Sequence, residues 1–118
     1  MALILITDDA AFARRMTKKI LVKQNHTVIE AANGQECLDM IEVHSPDCVL
    51  LDLLMPELDG FAVLETLKEK DSKIPVIVLS ADIQDSVKDR CINLGAITVV
   101  KKPAKELKIK EALELANI

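Results

Sequence analysis

Cys48-Val49-Leu50-Leu51-Asp52-Leu53-Leu54-Met55-Pro56-Glu57-Leu58-Asp59-Gly60 is the stretch around which the chain is organised. The apolar run from Cys48 to Leu51 predicts a strand buried on both faces, which is what the centre of a parallel sheet requires. The run ends on a carboxylate, Asp52. Pro56 forbids simple continuation of the strand, and Asp59-Gly60 supplies turn and helix-start chemistry. An acid at the carboxyl end of a central parallel strand lies where open α/β sheets hold their ligands. That Asp52 merely turns the chain out of the sheet is the lesser alternative on this stretch alone, and the rest of the sequence decides against it.

Upstream, Leu3-Ile4-Leu5-Ile6-Thr7 predicts a first strand followed at once by Asp8-Asp9. From Ala10 the period becomes helical, with Phe12, Met16 and Ile20 expected inward and Arg14, Arg15, Lys18, Lys19 and Lys23 on the opposite face. Thr27 to Ala31 predicts a second strand, Asn33-Gly34 a turn, and Cys37, Leu38 and Ile41 the inner face of a second helix stopped by Ser45-Pro46. Downstream, Gly60 to Lys70 predicts a third helix carrying Phe61, Leu64 and Leu67 on one face. Pro75 to Leu79 predicts a fourth strand ending at Ser80-Ala81-Asp82. Val87, Cys91 and Leu94 mark a fourth helix closed by Gly95. Thr98 to Lys101 predicts a fifth strand before Lys102-Pro103, and the last helix, about Ala104 to Ala116, turns Ile109, Ala112, Leu113 and Ala116 inward. Strict alternation of five strands with five helices predicts a doubly wound parallel α/β sheet.

Bulk composition excludes several classes. The 118 residues suit one domain with a proper core. Half the residues are apolar but only Phe12 and Phe61 are aromatic, so the core is aliphatic and no stacking platform for a flavin or single-stranded nucleic acid exists. A net charge of −4 opposes generic nucleic-acid affinity. No apolar run approaches the roughly 20 residues of a membrane span. The expected location is cytoplasmic. Cys37, Cys48 and Cys91 each fall in an apolar pattern and read as buried free thiols. Gly34, Gly60 and Gly95 are isolated, so no phosphate-cradling nucleotide loop is present.

Polar groups stand at the carboxyl ends of four predicted strands: Asp8-Asp9, Asp52, Ser80 and Lys102. Singly, Asp9 and Ser80 are plausible helix caps and Lys102 an ordinary surface lysine. Jointly they converge on one edge of the sheet. Three carboxylates there repel: two unit charges about 4 Å apart cost about 4 kcal/mol at an effective dielectric near 20. An all-oxygen donor set suits a hard divalent cation, and Mg²⁺ typically takes one or two carboxylates plus a phosphate and keeps several waters. Lys102 adds a movable positive charge. Carboxylate, lysine and hydroxyl so arranged suit phosphoryl transfer onto Asp52, with catalysis mainly by positioning and charge neutralisation.

The chain resembles the receiver (CheY-like) domain of two-component response regulators over its whole length. The matching residues are Asp8-Asp9, Asp52 in Asp-x-x-Met-Pro-x-x-Asp-Gly, Ser80-Ala81 and Lys102-Pro103, each after the corresponding strand. The resemblance implies a receiver domain over residues 1–118, sheet order 2-1-3-4-5, and a phosphoryl group accepted on Asp52 from a histidine kinase or histidine phosphotransfer protein. It implies Mg²⁺ held by Asp9, Asp52 and the carbonyl of Leu54, with Asp8 helping through water. Ser80 and Lys102 would hold the phosphoryl oxygens, and the Lys102–Pro103 peptide bond would be cis. The basic stripe on the first helix would steer an acidic docking partner.

Receiver domains switch when the hydroxyl residue moves toward the phosphate and an aromatic on the fifth strand swings inward. Here Val99 holds the aromatic's place, so that movement is unavailable. The expected protein is a signalling receiver read by a downstream target, in chemotaxis or a phosphorelay, and not an enzyme acting on a separate substrate. The alternatives are a receiver module excised from a larger DNA-binding regulator or hybrid kinase, and a phosphorylation-independent binding module. A haloacid-dehalogenase-type phosphatase needs a second Asp where Leu54 stands.

Overall fold

In a computed structural model, which describes all 118 residues, strands and helices alternate throughout. The order is β1 (Leu3–Thr7), α1 (Ala11–Lys23), β2 (Thr27–Ala31), α2 (Gly34–His44), β3 (Cys48–Asp52), α3 (Gly60–Glu69), β4 (Val76–Ser80), α4 (Asp85–Asn93), β5 (Thr98–Lys101) and α5 (Glu106–Leu115). The five strands form one sheet, β2-β1-β3-β4-β5, with every neighbouring pair parallel. This is the doubly wound arrangement the sequence predicts.

β3 and β4 are buried along their whole length because helices cover both sides of the sheet. Alternate residues serve opposite layers. Ile4, Ile6, Leu50 and Ile77 pack with Leu21 of α1 and with Ile109 and Leu113 of α5. Leu5, Val49, Leu51 and Val78 face α2, α3 and α4, meeting Cys37, Val63, Leu64 and Cys91. Each large aliphatic side chain removed from water contributes about 2 kcal/mol, so a one-residue slip of a central strand would change every partner on both faces.

α1 corrects the expected inner face. Phe12 is 72% exposed and Met16 45%, whereas Thr17 and Leu21 are buried. Rotating the helix this way brings Thr17 and Leu21 onto a strand surface already filled by isoleucines, and it turns Arg14 toward β2. β4 starts at Val76 and not Pro75, because proline has no N–H for the ladder; the Pro75 carbonyl still accepts from Val49 N–H at 3.0 Å. α5 begins at Glu106, two residues later than expected, after Lys105 in extended backbone.

Asn33 and Asp59 cap α2 and α3, accepting from the N–H groups of Glu36 and Ala62 at 2.9 Å. Asn33-Gly34 is therefore a helix start as much as a turn. The residues suspected of merely capping do not: α1 and α4 begin after Ala10 and Gln84 with no side-chain cap. Asp9 and Ser80 therefore cap neither helix.

Gly60 fixes the exit of β3. Its N–H donates to the Leu53 carbonyl at 2.9 Å, and an added Cβ would lie 2.5 Å from the Asp52 carbonyl oxygen and 2.8 Å from Leu53 Cα. Both obstacles are backbone, so Gly60→Ala is expected to cost about 1–3 kcal/mol. Asp59→Ala, which removes only the cap, should cost about 1 kcal/mol. Urea midpoints of the two variants at equal slope test the ranking.

Candidate functional site

The sheet order reverses between β1 and β3, and their carboxyl ends open the crevice where such sheets bind ligands. Asp8 and Asp9 follow β1, and Asp52 ends β3. Ligand oxygens from the three carboxylates lie within 4.8 Å of one another. Asp8 and Asp52 are buried, while Asp9 is exposed at the mouth. Lys102, following β5, donates from Nζ to Asp8 Oδ2 at 2.9 Å and lies 3.4 Å from Asp52 Oδ1. The second Asp8 oxygen accepts the Ala10 N–H at 2.9 Å. The Lys102–Pro103 bond is cis.

Burial pushes the Asp52 carboxyl above its usual range; the Lys102 charge opposes this, and Asp8 adds to it. Burial also works against the Lys102 charge, yet its hydrogen bond to Asp8 and the charge of Asp52 outweigh that and hold its ammonium above the ordinary lysine range. One ammonium faces three carboxylates. With all three ionised the cluster keeps net negative charge in a partly dry pocket, and its donors are all hard oxygens. The residues therefore fit Mg²⁺.

Ser80 lies in the same crevice but its hydroxyl is engaged elsewhere. It donates to the Asp82 carbonyl at 2.8 Å and accepts the Asp82 N–H at 3.1 Å. Backbone joins it to the lysine, since Lys102 N–H donates to the Ser80 carbonyl at 2.9 Å. Leu54 stands 77% exposed beside the acids. Val99, half-buried, lines a groove of about 720 Å³ bordered by Lys88, Lys101, Lys105 and Lys108.

The basic stripe of α1 is only partly free. Arg14 and Lys18 pair with Glu30 of β2 at 2.9 and 3.3 Å, and Lys23 pairs with Glu106 at 3.3 Å. Burial would raise the Glu30 carboxyl, but hydrogen bonds from Arg14 and Lys18 hold it below its usual range. Arg15 and Lys19 stay in solvent beside exposed Phe12 and Met16. His44 is exposed; His26 is half-buried, with Nδ1 accepting the Ala2 N–H at 3.2 Å. All three cysteines are buried and unpaired, and burial pushes the thiols of Cys37 and Cys48 up to about 11 and 12, leaving them inert. The contact missed in the sequence is that of Arg14 Nη1, which donates to the Asp8 carbonyl at 2.6 Å. Its only signal was a place in the stripe.

Acids after β1 and β3, a hydroxyl after β4 and a lysine after β5 define a receiver-type signalling domain. The chain belongs to the response regulator receiver domain family, whose model matches residues 4–114. It is 41% identical over 111 residues to the chemotaxis protein CheY of Bacillus subtilis, covering 93% of this chain and 92% of that protein. It superposes on CheY in the CheX–CheY–BeF₃–Mg²⁺ complex from Borrelia burgdorferi with a TM-score of 0.92 and 28% identity, over 98% of this chain and 89% of that one. The receiver domain of Francisella response regulator 1452 gives a TM-score of 0.90 at 26% identity, over 99% and 98%.

The buried charge of Asp52 has a consequence for stability. A folded-state carboxyl raised above its unfolded value weakens the fold at neutral pH, and this cost vanishes as pH falls through the raised pKa toward the unfolded value. Asp52→Asn is therefore expected to raise the urea midpoint at pH 7 and to lose that advantage near pH 4. A variant less stable than the parent at pH 7 would contradict the electrostatics described above.

Proposed function

We propose that this protein is a signalling receiver that accepts a phosphoryl group on Asp52 from a histidine kinase or histidine phosphotransfer protein, in a Mg²⁺-dependent reaction, and is then read by a partner protein. The observation that carries this reading is the placement of Asp52, buried at the end of β3, 3.4 Å from the Lys102 ammonium and in one cluster with Asp8 and Asp9. The Borrelia CheY with which the chain superposes was solved with BeF₃ and Mg²⁺, which supports it.

An Asp52 carboxylate oxygen forms the new O–P bond in line with the breaking P–N bond. The electron pair of that bond stays on the donor's imidazole nitrogen. Lys102 is already poised on Asp52 and turns its ammonium to the incoming phosphoryl oxygens. Ser80 reaches them only by giving up its two bonds to Asp82, so its hydroxyl exchanges partners and does not merely rotate in solvent. Asp8, Asp9, Asp52 and the Leu54 carbonyl would hold Mg²⁺, which when bound neutralises charge on the transferred group. On this reading the protein catalyses only its own phosphorylation and dephosphorylation. The cytoplasm, where such phosphodonors act, is its expected location; no helix is long and apolar enough to cross a membrane.

A second reading, phosphorylation-independent binding, is favoured by one feature: the groove at Val99 is open, with no aromatic to swing across it. Both readings are testable together. Incubation with acetyl phosphate and Mg²⁺ should add one phosphoryl group by intact mass, with none in Asp52→Asn and none after chelation. Absence of any gain under all conditions would leave the binding-module reading. If the missing aromatic limits the switch, Val99→Tyr should make partner binding more dependent on phosphorylation.

A further inference from the structure

We propose that Arg14 is the positioning residue of the acidic loop, holding Asp8 and Asp9 where a divalent cation would meet them; this rests on the receiver reading of the site. The Arg14 side chain is only 18% exposed. Nη1 donates to the Asp8 carbonyl at 2.6 Å and Nε to Glu30 Oε1 at 2.9 Å. Glu30 precedes Ala31 on β2, and the Ala31 carbonyl accepts the Asp8 N–H at 3.2 Å. The main chain of Asp8 is thus gripped at both its N–H and its C=O, and both grips are anchored to β2.

This grip matters because the loop has little else. α1 has no side-chain cap, and Asp9 makes no hydrogen bond or ion pair, so its place follows from that of Asp8. The Asp8 side chain is tied only to Ala10 N–H and to Lys102, and Lys102 is the group expected to leave when phosphoryl oxygens arrive. Arg14 keeps the main chain fixed while that happens. The planar guanidinium offers two donors in fixed directions; an ammonium offers a point charge and no such fork.

Charge and position predict opposite signs. As a mere cation near the acids, Arg14 would repel Mg²⁺, and its removal would tighten binding. As a positioning residue, its loss should weaken binding. Groups that orient ligands from behind typically contribute 10–100-fold in metal affinity, and about tenfold is expected here.

The test uses the full chain, with Mg²⁺ titrated by amide chemical shifts and with amide hydrogen exchange measured in metal-free protein. Arg14→Ala should weaken Mg²⁺ about tenfold and speed exchange of the Asp8 and Ala10 amides, while amides of β3 and β4 keep their protection. Arg14→Lys keeps the charge and much of the stem, and should lose most of the same affinity; it also covers the case in which Arg14→Ala fails to fold. Lys18→Ala removes the other cation on Glu30 without touching Asp8, and should leave Mg²⁺ affinity within about twofold, far less than a lost orienting group. Tighter or unchanged Mg²⁺ binding in both Arg14 variants, or unchanged exchange at Asp8 and Ala10, overturns the proposal. A parent protein that binds no Mg²⁺ would sink the metal-dependent receiver reading, and the exchange data would still decide whether Arg14 holds the loop.

Discussion

The Lys102 ammonium sits between two carboxylates that burial and mutual repulsion both disfavour. Asp8 and Asp52 are 2% and 6% exposed, and at Asp52 burial and the Asp8 charge raise the carboxyl while the Lys102 charge opposes them. The lysine comes from the end of β5, the acids from β1 and β3, so the contact exists only when the sheet is complete from β1 to β5 in order. Parallel strands make this possible. Every carboxyl end points the same way, and short turns leave the first residues after each strand on one rim, a rule for which CheY-type domains are themselves a standard example.

The rest of the molecule holds that rim in place. Below it lie two dry aliphatic layers, with strand residues buried on both faces. At the rim, backbone contacts take over from side-chain packing. Gly60 lies against the Asp52 carbonyl, Lys102 N–H bonds the Ser80 carbonyl, and Asp8 N–H bonds Ala31. These bonds fix the main chain from which the rim side chains project. The Ser80 hydroxyl is held on Asp82 and the Lys102 ammonium on Asp8.

Much of this was legible beforehand because strands buried on both faces leave a strong trace. β1, β2, β3 and β5 run where their apolar or β-branched runs run, and β4 moves by one residue only because Pro75 lacks a donor. The polar residue after each run marked the rim. Helix faces were harder. Phe12 and Met16 look like core residues and are exposed, because the sheet accepts Thr17 and Leu21 in their place; both stripes have helical spacing, and only the shape of the strand surface separates them. Hydrogen-bond partners were not legible at all. Arg14 and Arg15 are equivalent in a basic stripe, yet one is folded onto Asp8 and Glu30 and the other stays in water.

Periodicity and strand-end chemistry in the sequence alone determined the doubly wound fold and which acids, hydroxyl and lysine stand at the carboxyl ends of its strands. Those features follow from local residue order, since burial on two faces and a following turn are each encoded within a few positions. Tertiary structure alone decided which face of α1 is buried, that Ser80 bonds Asp82, that Lys102 bridges Asp8 and Asp52, and that Arg14 grips the loop. Those are contacts between elements distant in the chain or alternative partners of nearly equal local merit, and the choice among them is made by distances that only the packed sheet sets.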